Sequence, residues 1–163
     1  MNSKVSLLPL ALSSLLLAAC GGGGGGDTPP PQTMGTLGVS ITDAPACGFD
    51  AVNVTVNKVR VNTSATASDT DSGWTDLTLS PGKKINLLNL TNGTLDALGQ
   101  TALAAGRYNQ VRLVLDPNTG NATANSVVLS GTTTEISLDT PSAVQSGIKM
   151  NADFTVEAGQ RYD

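Results

Sequence analysis

The sequence predicts an all-β domain folded as an antiparallel β-sandwich, and three observations carry that prediction. Short runs of Val, Thr, Ile and Leu recur along the chain, clusters of Gly, Asn, Asp and Pro separate them, and the last run alternates strictly between apolar and polar residues. About eight such runs follow one another at a spacing that suits a sandwich.

Thr36 to Thr42 is the first expected strand, with Leu37, Val39 and Ile41 on one side and Asp43-Ala44-Pro45 ending it. Asp50 to Asn62 is the second. Its Val52, Val54 and Val56 share one parity, and Val59 and Val61 the other. One extra residue shifts the alternation by one, so a bulge near Asn57-Lys58 brings both sets to the core. Thr63 to Gly73 reads as a polar loop. Trp74 to Leu79 is a strand, Pro81-Gly82 turns it, and Lys84 to Leu90 is the next, with Ile85 and Leu87 inward. Leu95 to Gln100 is expected to be the only helical turn. Arg107 to Leu115 alternates through Val111, Leu113 and Leu115 and ends at the turn Asp116-Pro117-Asn118-Thr119-Gly120. Short strands follow at Ser126 to Leu129 and Glu135 to Leu138. The final run places Ile148, Met150, Ala152, Phe154 and Val156 on one face and Lys149, Asn151, Asp153, Thr155 and Glu157 on the other. That pattern marks a half-buried antiparallel strand.

Ahead of the domain, Lys4, an apolar stretch from Val5 to Leu17 and the small pair Ala18-Ala19 have the layout of a secretory signal peptide. The stretch is shorter than the about 20 apolar residues that a membrane-spanning helix needs. Leu17-Ala18-Ala19-Cys20 resembles a bacterial lipobox, which implies cleavage between Ala19 and Cys20 and acylation of the Cys20 thiol. A single acyl chain binds a bilayer only marginally, whereas two or more anchor it stably. Gly21, where an aspartate would retain a lipoprotein at the inner membrane, directs the expectation to the outer membrane of a bacterial cell envelope. The glycines from Gly21 to Gly26 are followed by no Gly-Lys-Ser/Thr, so they do not form a phosphate-binding loop. With Pro29-Pro30-Pro31 they read as a tether that reaches up to roughly 40 Å. The expected organisation is therefore signal peptide 1–19, lipidated cysteine and tether 20–34, and sandwich 35–163.

Composition excludes several chemistries. There is no histidine, which removes imidazole metal ligands and every Ser-His or Cys-His nucleophile pair. Nine basic residues face thirteen acidic ones without a basic cluster, so no nucleic-acid partner is expected. No cofactor is expected either. With Cys20 spent on lipid, Cys47 is left as a free thiol or one half of a disulfide whose partner lies elsewhere.

Candidate residues remain. Tyr108, Gln110 and Arg112 are expected to project from one face of a strand, where they could bind a ligand or form a solvated surface, the tyrosine hydroxyl pinning a corner in the second case. Asp43 is either a site carboxylate or the cap of an Asx-turn. Asp69-x-Asp71-x-Gly73 and Asp116-x-Asn118-x-Gly120 resemble the first half of a calcium loop, but neither has the distal Glu, and such residues also make turns, so no metal is expected. Asn53, Asn62, Asn89, Asn92 and Asn121 stand in Asn-x-Ser/Thr sequons by coincidence of a Thr- and Asn-rich composition. Lys83-Lys84 is too short for phospholipid recruitment and reads as strand-edge protection.

The pieces "GTLGVSITDAP", "VNVTVNKVRV", "INLLNLTNG", "AAGRYNQVRLVL" and "PSAVQSGIKM" occur in that order from Gly35 to Met150. Together they resemble bacterial lipoproteins that carry the domain of unknown function 4382. The resemblance implies an immunoglobulin-like or transthyretin-like sandwich on a cell-envelope tether, and no activity, since none is established for the family. Ala104 stands where the family often has proline. Family members look as if they continue into a strand with an Asp-Phe-Asp-like acidic motif and commonly a cysteine. Ala158-Gly159-Gln160-Arg161-Tyr162 repeats the turn signal of Ala105-Gly106-Arg107-Tyr108. The chain is therefore expected to stop short of one strand and of a partner for Cys47.

Two functions are expected from these features. The first is a non-catalytic binding or structural module, attached to the membrane through acyl chains on Cys20 and recognising an envelope glycan or protein. The second is a carboxylate-dependent glycan hydrolase, which needs no histidine and would draw on Asp43, Asp76, Asp153 or Glu157.

Overall fold

The computed structural model describes residues 33–42, 47–120 and 122–163. Ala19, Cys20, the glycine tether and Asp43 lie outside the described residues. The chain forms β1 (Met34–Ile41), β2 (Phe49–Asn62), β3 (Thr75–Asn86), β4 (Asp96–Ala104), β5 (Gly106–Leu115), β6 (Ser126–Leu129), β7 (Glu135–Ser137), the short helix α1 (Pro141–Gln145), β8 (Ile148–Val156) and β9 (Arg161–Tyr162).

Two sheets result. β1 joins β4 antiparallel on one edge and β9 parallel on the other. The second sheet is organised around the long β2, whose Asn53–Val61 stretch pairs with β3 along one edge. Its other edge is shared end to end, β6 taking Phe49–Asn53 and β5 taking Val56–Asn62. β7 extends β6, and β8 extends β5. The all-β sandwich is thus observed, with β1 and β9 as its one parallel pair among the described strands.

The bulge in β2 explains how one strand serves both halves of the core. Val56 pairs with Leu115 and Lys58 with Val114, so Asn57 is the extra residue. Val56, Val59 and Val61 are all fully buried as a result. One buried cluster gathers Val56, Val59, Ile85, Leu90, Leu98, Leu115 and Ala143, and a second gathers Leu37, Val61, Leu103, Tyr108, Phe154 and Val156. Val39 and Val111 pack against both. Each fully buried aliphatic side chain contributes roughly 1.5–3 kcal/mol.

Four expectations need correction. Leu95–Gln100 is not helical: from Asp96 it belongs to β4, because pairing with β1 and burial of Leu98 outweigh the local helical preference of Leu and Ala. Gly99, at φ +139°, sits beside the register shift between Val39 and Ser40 and fits no helix. Trp74–Leu79 and Lys84–Leu90 are not two separate strands; β3 runs through Pro81-Gly82 and makes an excursion opposite the Asn57 bulge, then gives way to a 3-10 turn at Leu87–Leu90. The α-helical turn lies instead at α1, where no helix was expected: it starts with proline in its first turn, where the missing N–H costs nothing, and packs Ala143 into the core. Finally, Tyr108 does not share a face with Gln110 and Arg112. A register irregularity between Tyr108 and Gln110 turns the tyrosine into the core and the other two outward.

Candidate functional site

The outward face of β2 and β5 is where charged side chains converge. Arg60 and Arg112 are direct cross-strand partners, a pairing of like charges that is unfavourable on its own. The loop Thr63–Gly73 folds over them and brings Trp74, whose ring centroid lies 4.9 Å from the Arg60 guanidinium and 5.0 Å from that of Arg112. Cation–π attraction and opposed charge offset the repulsion: Arg60 Nε donates to Asp76 at 2.8 Å, and Lys58 shares that carboxylate at 3.2 Å.

Arg112 is buried, at 7% exposure. Its Nη1 donates to Ser146 O and its Nη2 to Ala67 O, both at 2.8 Å. Gln110 Nε2 donates to the same Ala67 carbonyl at 3.1 Å, while Gln110 Oε1 and Arg112 Nε have no partner among the described residues. Asn62 Nδ2 donates to Ser72 O, Asn109 Nδ2 to Thr63 O, and Trp74 Nε1 to Ser68 O. The loop is therefore fastened by the strand side chains beneath it. Within it, the backbone N–H of Ser68 donates to Asp71 at 2.9 Å and, with the more distant Arg112, holds the Asp71 carboxyl below its ordinary range. The first acidic triplet makes a turn.

The second triplet also serves the fold. Asp116 accepts from Asn57 Nδ2 at 2.7 Å and occupies the space left by Gly82. Asn118 Nδ2 donates to Ser137 Oγ and Leu138 O. Between them lies a residue that sequence reasoning passed over. Asn125 is fully buried where β5 replaces β6 on the edge of β2, and its side chain acts as a substitute peptide group: Oδ1 accepts from Thr55 N at 3.0 Å, and Nδ2 donates to Asp116 O at 2.7 Å. In a segment rich in Asn, Thr and Ser nothing distinguishes it from a turn residue.

On the core side, Tyr108 stacks on Phe154 at 5.5 Å, and its hydroxyl donates to Ala104 O at 3.0 Å. Burial pushes its pKa up. Cys47 is exposed and free among the described residues. Two of the carboxylates considered for hydrolysis are engaged in ion pairs: Asp76 is held by Arg60 and Lys58, and Asp153 is gripped by two nitrogens of Arg107 at 2.7 and 2.6 Å. That ion pair keeps the Asp153 carboxyl below its ordinary range, opposite to what a general acid requires. Lys83 pairs with Asp96, and Lys84 with Glu135, at the edge of β3.

Open clefts of about 480 Å³ flank the Asp139-Thr140-Pro141 turn, one of them against Pro117, Asn118 and Val144 and the other against Gly147 to Lys149. A third, of about 220 Å³, opens between the sheets beside β1.

Residues 34–163 match the family model described as a domain of unknown function (DUF4382). No curated protein and no solved structure matches the chain.

Proposed function

The chain belongs to the DUF4382 family, and from that premise we propose that it is a non-catalytic binding or structural module of the bacterial cell envelope, anchored in the outer membrane through acyl chains on Cys20. One observation supports the non-catalytic reading: the charged side chains of β2 and β5 and the two carboxylates Asp76 and Asp153 are engaged with one another or with backbone carbonyls. Arg112 spends its terminal nitrogens on backbone carbonyls, Arg60 and Lys58 share Asp76, and Arg107 chelates Asp153. A catalytic carboxylate or cation must instead be free to meet a substrate and to change protonation state. The anchoring reading rests on the lipobox-like Leu17-Ala18-Ala19-Cys20 and the glycine- and proline-rich tether behind it.

Two measurements test the proposal. Cys20→Ala should move the full chain from the membrane to the soluble fraction and abolish incorporation of labelled palmitate. The purified domain should be retained by an envelope protein or glycan and release no sugar from envelope polysaccharides. Sugar release that is lost in Asp153→Asn or Asp76→Asn would establish a hydrolase instead.

A further inference from the structure

One row of side chains crosses the larger sheet and stops unbalanced. Asp76, Arg60, Arg112 and Lys149 are successive cross-strand partners from β3 through β2 and β5 to β8. Like charges set directly opposite one another repel, so each cation in such a row needs an acceptor. Arg60 has Asp76, and Arg112 has the carbonyls of Ala67 and Ser146. Lys149 is exposed and forms no ion pair among the described residues. The lysines at the edge of β3 differ in this respect, since Lys83 and Lys84 each meet a carboxylate of their own chain.

The strand that carries Lys149 ends the sheet. β8 pairs with β5 on one side, and no described strand lies on its other. Its inward face continues through Ala152 and Phe154, which both pack against the second core cluster, yet Ile148 and Met150 are 48% and 42% exposed. Unpaired backbone and uncovered apolar side chains thus adjoin the open end of the charge row. The sequence of β8 is also self-complementary. When two copies run antiparallel about a two-fold axis at Asn151, Lys149 of each lies directly opposite Asp153 of the other, Met150 opposite Ala152 and Ile148 opposite Phe154. An axis at Met150 would set Lys149 against Asn151 and leave its charge unanswered. Asp153 is exposed on the outer face, where Arg107 of its own chain already orients it.

We infer that the free edge of β8 is a pairing surface for a second copy of this chain, joined antiparallel across Ile148 to Phe154 about a two-fold axis at Asn151. The larger sheets of the two copies then become continuous, and the charge row runs on from Lys149 to Asp153 of the other copy. The contact is the same patch on both molecules, so it closes at two. The apolar strips of the two copies meet on the inner face, where Met150 of one lies diagonal to Met150 of the other.

Two experiments on the full chain test this. In cells that express it with Cys47→Ala, Asn151→Cys brings two thiols face to face across the axis at a Cα separation of about 4.5–5.5 Å, within disulfide reach. Oxidation should link about tenfold more dimer than in Thr155→Cys, whose two copies stand more than about 25 Å apart along the strands. Equal linking would overturn the inference. The second experiment exchanges charge and reads mass by sedimentation of the detergent-solubilised chain, kept reduced. The parent should dimerise with rising concentration. Lys149→Asp sets carboxylate against carboxylate and Asp153→Lys sets lysine against lysine, so each variant alone should dimerise about tenfold more weakly or worse. An equal mixture of the two should dimerise like the parent, because every contact then joins a lysine to a carboxylate. A parent that stays monomeric would mean that Lys149 only guards the edge, and would overturn the inference. Dimers that persist unweakened in both variants, or a mixture no better than its components, would overturn it as well. None of these readouts depends on retention by envelope components, so this inference and the proposed function fail separately.

Discussion

Arg112 lies 5.0 Å from the ring centroid of Trp74 while its terminal nitrogens tie β5 to the loop above it and to the turn after α1. Replacing Arg112 by Met keeps much of the volume but leaves the Ser146 carbonyl without its donor and the Ala67 carbonyl with Gln110 alone. We expect a loss of about 2–3 kcal/mol in urea unfolding, together with stronger acrylamide quenching of Trp74 as the loop loosens. Arg112→Lys should restore little, since one ammonium cannot reproduce the planar fork. A variant as stable as the parent, with Trp74 equally shielded, would show that water replaces these bonds at no cost.

Asn125 gives a second prediction. Asn125→Leu strands the Thr55 N–H and the Asp116 carbonyl at the junction of β5 and β6, and should cost about 2–4 kcal/mol. Hydrogen exchange locates the damage: the Thr55 amide should lose its protection while amides in β1 and β4 keep theirs.

Asn57 separates two kinds of contribution. Asn57→Ala removes one hydrogen bond to Asp116 and should cost about 1 kcal/mol. Deleting Asn57 instead removes the extra residue, so Val56 and Val59 stand two apart and both face inward in plain alternation. Both variants should therefore unfold cooperatively by circular dichroism, and loss of cooperativity in the deletion alone would show that the β3 excursion between Thr78 and Lys83 depends on the bulge.

The pH dependence follows from carboxylates alone. Asp71, Glu135, Asp153 and Asp163 all have depressed pKa values, held down chiefly by hydrogen bonds from Ser68, Thr123, Arg107 and Arg161 respectively. A depressed folded-state pKa means that the unfolded chain binds more protons in the window between the two values. The stabilisation is therefore fully present above the ordinary carboxylate values of 3.8 for Asp and 4.5 for Glu, and is lost as pH falls through the folded ones. With no histidine to titrate, the urea midpoint should stay flat from about pH 5.5 to 8 and fall below about pH 4. A step near pH 6.5 would contradict this account.

What could be read from the sequence depended on whether the information was local. The Asn57 bulge was visible because five valines change parity across it, and β6 was visible because its turn residues bracket it closely. β4 was misread since Leu95 to Gln100 holds fair helix formers, and its fate is decided by β1, more than fifty residues earlier. Arg112 is legible as a residue on the polar face of an alternating strand, beside Gln110. Its burial could not be read, because that depends on a loop from elsewhere in the chain folding over it. The same distance hid the role of Trp74. Tyr108 was placed on the wrong face because an irregularity opposite β8 carries no mark in β5 itself.

The parallel pairing of β1 with β9 has a mechanical consequence. A pull that draws Met34 and Asp163 apart acts along the two strands in opposite senses, so the bonds between them are loaded in shear and share the force rather than opening one after another. Gly159 N to Met34 O and Thr36 N to Gln160 O, each 2.9 Å, stand in that load path. A domain stretched between these points would resist as a clasp, and would begin to yield only when the whole seam slipped.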